Sequence, residues 1–178
     1  MKKYIYKNKN IFFILLLSLT SLIFNFYYGY RGVFPRDSFL IFDSGYNILN
    51  GQHPFKDYWS ITGPALDYIQ ALFFLIFGSS WFTYVLHASV INLVLAIFSY
   101  FVFKALGLKE SFSFLYSVGI SLLAYPIIGV PFIDHHSTIF SILSIYCFIL
   151  AIKQEKNFLF FLIPILLGIA FLSKQIPA

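Results

Sequence analysis

The segment Gly63–Lys104, GPALDYIQALFFLIFGSSWFTYVLHASVINLVLAIFSYFVFK, decides the fold, because it reads either as two membrane crossings or as one crossing with a helical prelude. Its two apolar stretches, Pro64–Gly78 and Trp81–Phe103, meet at the polar break Gly78-Ser79-Ser80. Positive charge settles the count. Lys104 with Lys109, and Lys153 with Lys156, mark cytoplasmic loops, and the cluster Lys2, Lys3, Lys7 and Lys9 holds the start of the chain on the same side. Arg31 onward is then outside, so an odd number of crossings connects Gly63 to Lys104. We read Trp81–Phe103 as the single crossing. Pro64–Gly78 becomes an amphipathic helix at the outer interface, a position that suits Asp67 and Gln70 better than the bilayer centre.

The composition around this segment leaves only one class. The chain has 178 residues, of which 60% are hydrophobic, 22% aromatic and 11% charged. Soluble domains carry about a quarter charged residues, so there is no polar surface here to wrap a globular core. The net charge of +5 sits mostly in short segments between apolar runs, where it sets topology and does not call for nucleic acid. Cys147 lies alone inside an apolar run, with no disulfide framework or metal pattern, and reads as a small packing residue.

Further spans follow from the charge-poor runs Ile11–Tyr30, Leu72–Phe103, Ser111–Ile133, Thr138–Ile152 and Phe158–Ser173, against the about 20 apolar residues a crossing helix needs. The first run is too long for a signal-peptide core and no small-x-small cleavage site follows it, so it reads as an uncleaved helix with its N-terminus in the cytoplasm. The expected fold is an all-α polytopic membrane protein with about five transmembrane helices, plus interfacial amphipathic helices in a long first outer loop, residues 31–64. By the same parity Ser111–Ile133 runs outward, Asp134-His135-His136 emerges on the face of Asp37, and Lys174 ends on the outer side, against the positive-inside trend. The sequence stops at Ile176-Pro177-Ala178 directly after an apolar run, which reads as the front part of a longer protein forming one transmembrane domain over 1–178.

The outer loop holds the chemistry. Four of the seven acidic residues, Asp37, Asp43, Asp57 and Asp67, fall within it or just after it. Phe39, Phe42, Tyr46 and Leu49 recur three and four apart, and Gly51 is a good helix stop, so residues 38–50 predict a short helix lying on the membrane. Asp37 stands at its start, where the plain role is an N-cap. Lys56-Asp57 read equally as a solvated pair or as site residues, and His53 beside them as incidental. His87 and Asn92 read as interhelical hydrogen-bond partners. Asp134 reads as the N-cap of the following helix, and adjacent His135 and His136 cannot face one way, which argues against a compact metal cluster from that run.

Three stretches together carry a resemblance: Arg36-Asp37-Ser38, then Gly45–Asp57 (GYNILNGQHPFKD), then Gly63–Gly78 (GPALDYIQALFFLIFG). They resemble the front end of the GT-C glycosyltransferases, more narrowly the bacterial relatives of the dolichyl-phosphate-mannose protein mannosyltransferases and of the aminoarabinose lipid A transferases. Asp134-His135-His136-Ser137 and Phe171–Gln175 are similar in position. The resemblance implies a multi-pass enzyme of the bacterial inner membrane that takes sugar from a polyprenyl-phosphate donor to a lipid, glycan or protein acceptor. It implies that the acidic residue opening the first outer loop, here Asp37, is catalytic. A transfer to a hydroxyl needs a carboxylate for the acceptor proton, and the lipid phosphate needs cations; Arg36, Lys56 and Lys174 are the candidates, with Asp57 and Asp134 as further site residues. A divalent cation shared by Asp37 and Asp134, as in some relatives, is a further implication. The chain departs from the relatives at Ser60–Pro64, where they usually carry a charged residue before paired prolines, and this leaves donor binding to the other cations. The alternatives are a non-enzymatic transporter or flippase for lipid-linked sugars, which would not need Asp37, and an inactive truncated product.

Overall fold

The computed structural model describes residues 2–32, 37–60 and 63–175, with side chains from residue 10 onward. These residues form seven helices and no strand: α1 Lys2–Gly29, α2 Leu40–Leu49, α3 Ala65–Phe77, α4 Trp81–Ala105, α5 Glu110–Leu123, α6 Ile133–Gln154 and α7 Phe158–Ser173. Three of them, over Asn10–Gly29, Trp81–Ala105 and Ile133–Gln154, are long and apolar enough to cross a membrane. In hydrocarbon only a helix satisfies its own backbone, which is why the apolar runs become helices despite their load of phenylalanine and β-branched residues.

The boundaries follow local chemistry. Gly78 takes φ +82, and Ser80 then caps α4 by accepting from the Thr83 N–H at 3.2 Å. Asn50 and Gly51, the latter at φ +81, end α2 where the sequence placed the stop. The run read as Ser111–Ile133 is helical only to Leu123. Pro126 disfavours helical geometry at Tyr125, and residues 125–132 fold into a turn closed by the Phe132 N–H donating to the Tyr125 hydroxyl at 3.0 Å. Two caps expected from sequence are also corrected. The helix after Asp37 begins at Leu40 with Phe39 at its cap, and α6 begins at Ile133 with Phe132 at its cap, so neither Asp37 nor Asp134 caps a helix with its side chain.

Polar side chains point inward and apolar ones outward. Asn25 on α1 donates to Ser89 on α4 at 2.8 Å and to the Gly129 carbonyl at 3.3 Å. Asn92 on α4 donates to Ser21 on α1 at 3.0 Å and to the Ser121 carbonyl on α5 at 2.9 Å. Interhelical bonds of this kind contribute about 0.6 kcal/mol each on average. Leu15, Leu75, Phe161 and Leu123 meanwhile face outward. Cys147 is buried with Val102, Leu150 and Leu159, as a packing residue.

One end of the bundle gathers the end of α1, the starts of α4 and α6, and the end of α7. The Trp81 indole donates to the Gly29 carbonyl at 3.0 Å, and Ser137 donates to the Ala170 carbonyl at 3.1 Å. At the other end the Lys104 ammonium meets Asn10 and Glu110, the latter at 3.2 Å. Both ends of α3 lie at the first of these. Gly63, just before α3, lies against the Leu172 backbone, and the Phe77 carbonyl accepts from the Thr83 hydroxyl at 3.4 Å.

A close crossing lies between Gly29 and Gly129, the latter at φ +73; a Cβ on Gly129 would lie 2.4 Å from the Gly29 nitrogen. Gly129→Ala is expected to lower stability by about 2 kcal/mol or more through overpacking and left-handed strain. Gly119→Ala, on a helix face with open space around it, is expected to be neutral. Thermal unfolding of the two variants in the same detergent checks this, and equal midpoints would contradict it.

Candidate active site

The start of α2, the turn before α6 and the end of α7 enclose a pocket of about 190 Å³. Asp37, Asp134 and Lys174 line it together with Ile41, Pro131 and Phe132. The placement has local causes. Lys174 follows the last residue of α7 with extended backbone, Asp134 is the second residue of α6, and the Ser137–Ala170 bond ties those two ends together. Asp134 also benefits from the positive end of the α6 dipole. Its carboxylate is ion-paired with the Lys174 ammonium. Both are substantially exposed, so the pair adds at most about 1 kcal/mol to stability. Asp37 is exposed and lines the same pocket, and among the described residues it has no salt-bridge partner.

Arg36 lies outside the described residues. Lys56 and Asp57 do not line this pocket. They belong to a separate depression formed with Phe55, Tyr58 and Trp59, where the Asp57 carboxylate accepts from the His53 N–H at 2.8 Å and closes the turn. Among the described residues no three His, Cys, Asp or Glu side chains converge on a metal position. Two carboxylates, one already held by an ammonium, do not fit a divalent cation.

Asp134 also stands in the wall of a far larger apolar groove between α4, α5 and α6, of about 950 Å³. The groove runs from Phe103 and Leu108 near the Lys104 end, past Leu115, Ile139 and Tyr146, to Asp134 and His135.

Beneath the small pocket lies a buried chain of hydrogen bonds. The Gln70 side-chain carbonyl on α3 accepts a hydrogen bond from the His87 Nδ1–H at 2.8 Å, the His87 and His136 Nε2 atoms are 3.0 Å apart, and His136 Nδ1 meets the Tyr125 hydroxyl. All four side chains are fully buried. The chain needs one proton per imidazole and fixes α6 about its axis, turning Asp134 to the pocket while His136 faces the core.

Asp67, in the first turn of α3, is buried against the loop before it. Its carboxylate receives long hydrogen bonds, both 3.5 Å, from the Tyr58 and Ser60 hydroxyls, and among the described residues it has no salt-bridge partner. Burial pushes its pKa up to about 6, with the bonds from Ser60, Tyr58 and Ser44 pulling the other way. The Tyr58 phenol is pushed up to about 12, first by burial and then by the Asp67 charge.

The family model for dolichyl-phosphate-mannose-protein mannosyltransferase matches residues 53–178, more than two thirds of the chain. The chain belongs to that family. It is thereby placed among the membrane glycosyltransferases of the GT-C type. No curated protein and no solved structure matches it. In this mannosyltransferase-family chain the matched region includes Asp134 and Lys174 and begins after Asp37.

The sequence reading brought out Asp37, Asp134 and Lys174, and the structure sets them around one pocket. It did not find the Gln70–His87–His136–Tyr125 chain as a whole, nor that Asp67 and Gln70 are buried against neighbouring elements. A signal was present. Leu66, Asp67, Gln70, Ala71 and Phe74 share one helical stripe, and polar groups on the same stripe as small residues in an apolar helix point at a neighbouring helix.

Because the folded state holds the Asp67 proton more tightly than the unfolded chain does, its ionisation costs stability as pH rises from about 4 to about 6, and the cost is constant above that. Asp67→Asn is expected to stabilise the α2–α3 hairpin by up to about 3 kcal/mol at neutral pH, with the gain gone by about pH 4. Hydrogen exchange of the hairpin amides against pH measures it; a pH-independent difference would rule this account out.

Proposed function

We propose that this chain transfers a sugar from a polyprenyl-phosphate donor to an acceptor hydroxyl at the outer face of the membrane, with inversion at the anomeric carbon. The observation that carries the reading is the pocket that Asp37 lines together with the Asp134–Lys174 pair, beside a long apolar groove that shares Asp134. Asp37 is the general base. It takes the acceptor hydroxyl proton as that oxygen attacks the anomeric carbon from the face opposite the phosphate. The bond from that carbon to the phosphate oxygen breaks, and the polyprenyl phosphate leaves with the electron pair. An ester of phosphate is already a good leaving group, so the demand falls on charge rather than on a strong acid. The Lys174 ammonium meets the phosphate, with Arg36, adjacent to Asp37 in sequence, as a second cation. Asp134 holds Lys174 in place, and the groove between α4, α5 and α6 takes the donor's apolar chain.

The reading includes five crossings, α1 and α4 to α7, with α2 and α3 at the outer interface. What supports this is that both ends of α3 touch the same end of the bundle. The lysine clusters fall at the opposite end from Asp37, which supports an outer position for Asp37.

Asp37→Asn is expected to insert normally and to lose about a hundredfold or more in transfer rate, the usual range for a lost general base. Asp57→Asn, whose carboxylate only closes a turn, is expected to stay near wild type. Transfer of labelled sugar from polyprenyl-phosphate donor by membranes carrying each variant measures both; a wild-type rate for Asp37→Asn would sink the mechanism. In a Cys147→Ser background, Asp37→Cys and Asp134→Cys are expected to react with an impermeant thiol reagent only from outside, and Lys109→Cys only from inside. Labelling of Asp134→Cys from the inside would remove the five-crossing arrangement.

A further inference from the structure

We infer that the loop Pro54–Trp59 is a membrane-docking element whose partner is the headgroup layer of the outer leaflet. Phe55 and Trp59 enter the lipid and Lys56 sits on lipid phosphate. This goes beyond the transfer chemistry and stands independently of it.

The loop is built to present its aromatic side chains. Trp59 is 84% exposed and Phe55 61% exposed. Phe55 holds φ +65, a left-handed conformation that a bulky aromatic residue adopts only when its surroundings impose it. Here the surroundings do so. The Phe55 N–H donates to the Tyr58 carbonyl at 2.9 Å, the Asp57 N–H to the His53 carbonyl at 2.9 Å, and the Asp57 carboxylate takes the His53 N–H at 2.8 Å. Below the turn, Tyr58 reaches buried Asp67, and His53 Nδ1 meets the Tyr68 hydroxyl at 3.1 Å. A closed, anchored turn thus holds two large apolar side chains off the protein. Left in water they would only lose contacts and hydration entropy, whereas a tryptophan with its indole N–H is most at home at the level of lipid headgroups.

Position favours the bilayer over a soluble partner. Gly63 rests on the Leu172 backbone at the end of α7, where Phe171 and Leu172 face outward. Trp59 is four residues from Gly63, a chain length of about 14 Å at most. That tethers the indole beside the last turn of an apolar helix, at the edge of the hydrocarbon. Lys56 lies between the two aromatics with an exposed side chain. The neighbouring Asp57 carboxylate is turned to the His53 N–H, and Lys56 is the cation the loop offers to lipid phosphate.

The test uses the full chain in vesicles of phosphatidylcholine with phosphatidylglycerol. Trp59 emission is taken as wild type minus Trp59→Phe, with the shared Trp81 signal reporting that both are folded. Lipids brominated near the headgroup are expected to quench the Trp59 emission about twofold more than lipids brominated near the bilayer centre, as for an interfacial tryptophan. Lys56→Glu is expected to reduce that quenching in these vesicles; an unchanged value would overturn the phosphate contact. Full quenching of Trp59 by aqueous iodide with none by either brominated lipid would overturn the docking. So would a Trp59 response to soluble oligosaccharide in place of lipid, which would make the loop a platform for an acceptor sugar.

Discussion

The interior of a bilayer has no hydrogen bond to give, and α4 carries His87, Ser89, Asn92 and Ser99 toward it. Each of these side chains is fully buried and bonded within the protein. Ser89 and Asn92 bind α1 and α5; His87 binds α3 and α6. The partners of α4 therefore come from four helices, and they are set in rotation and height by groups that have nowhere else to turn. The arrangement inverts that of a soluble core, with the polar atoms at the centre and phenylalanine and leucine on the outside.

The pocket depends on this central post. Its three ionisable groups come from segments far apart in sequence, and none of them is buried enough to be fixed by packing alone. Asp134 is aimed by the rotation of α6, which the His87–His136 contact sets from the opposite side of the helix. Lys174 is aimed by the end of α7, which Ser137 ties to the same turn of α6. Asp37 reaches the site through α2, whose Gly45 admits α3 to close range, since a Cβ there would meet the Gln70 side chain at 2.7 Å. Charge chemistry at the rim is in this sense held by uncharged contacts a turn or two deeper.

How much of this could be read beforehand varied with the kind of signal. Runs of uncharged residues are long-range signals and survived well. The last run, Phe158–Ser173, is helical over that span, and α4 begins at Trp81 as read. Turn chemistry misled where a proline sat inside an apolar run, so that α5 ends ten residues before the run does. Caps were lost because Asp37 and Asp134, each a good capping residue, have their side chains turned to a pocket that only tertiary structure creates. The gathering of Asp37, Asp134 and Lys174 at one end was legible because it follows from parity, a counting argument that needs no local geometry. The histidine chain was not, because four single polar residues on three helices and a turn carry no spacing that links them.

The Asp134–Lys174 contact joins residues 40 apart, and Asp37 precedes both. During synthesis Asp37 is thus made first and the two residues of the ion pair only later. Between those moments the growing chain holds Asp37 with neither member of the Asp134–Lys174 pair beside it. The pocket is completed only when the end of α7 comes to rest against the first turn of α6.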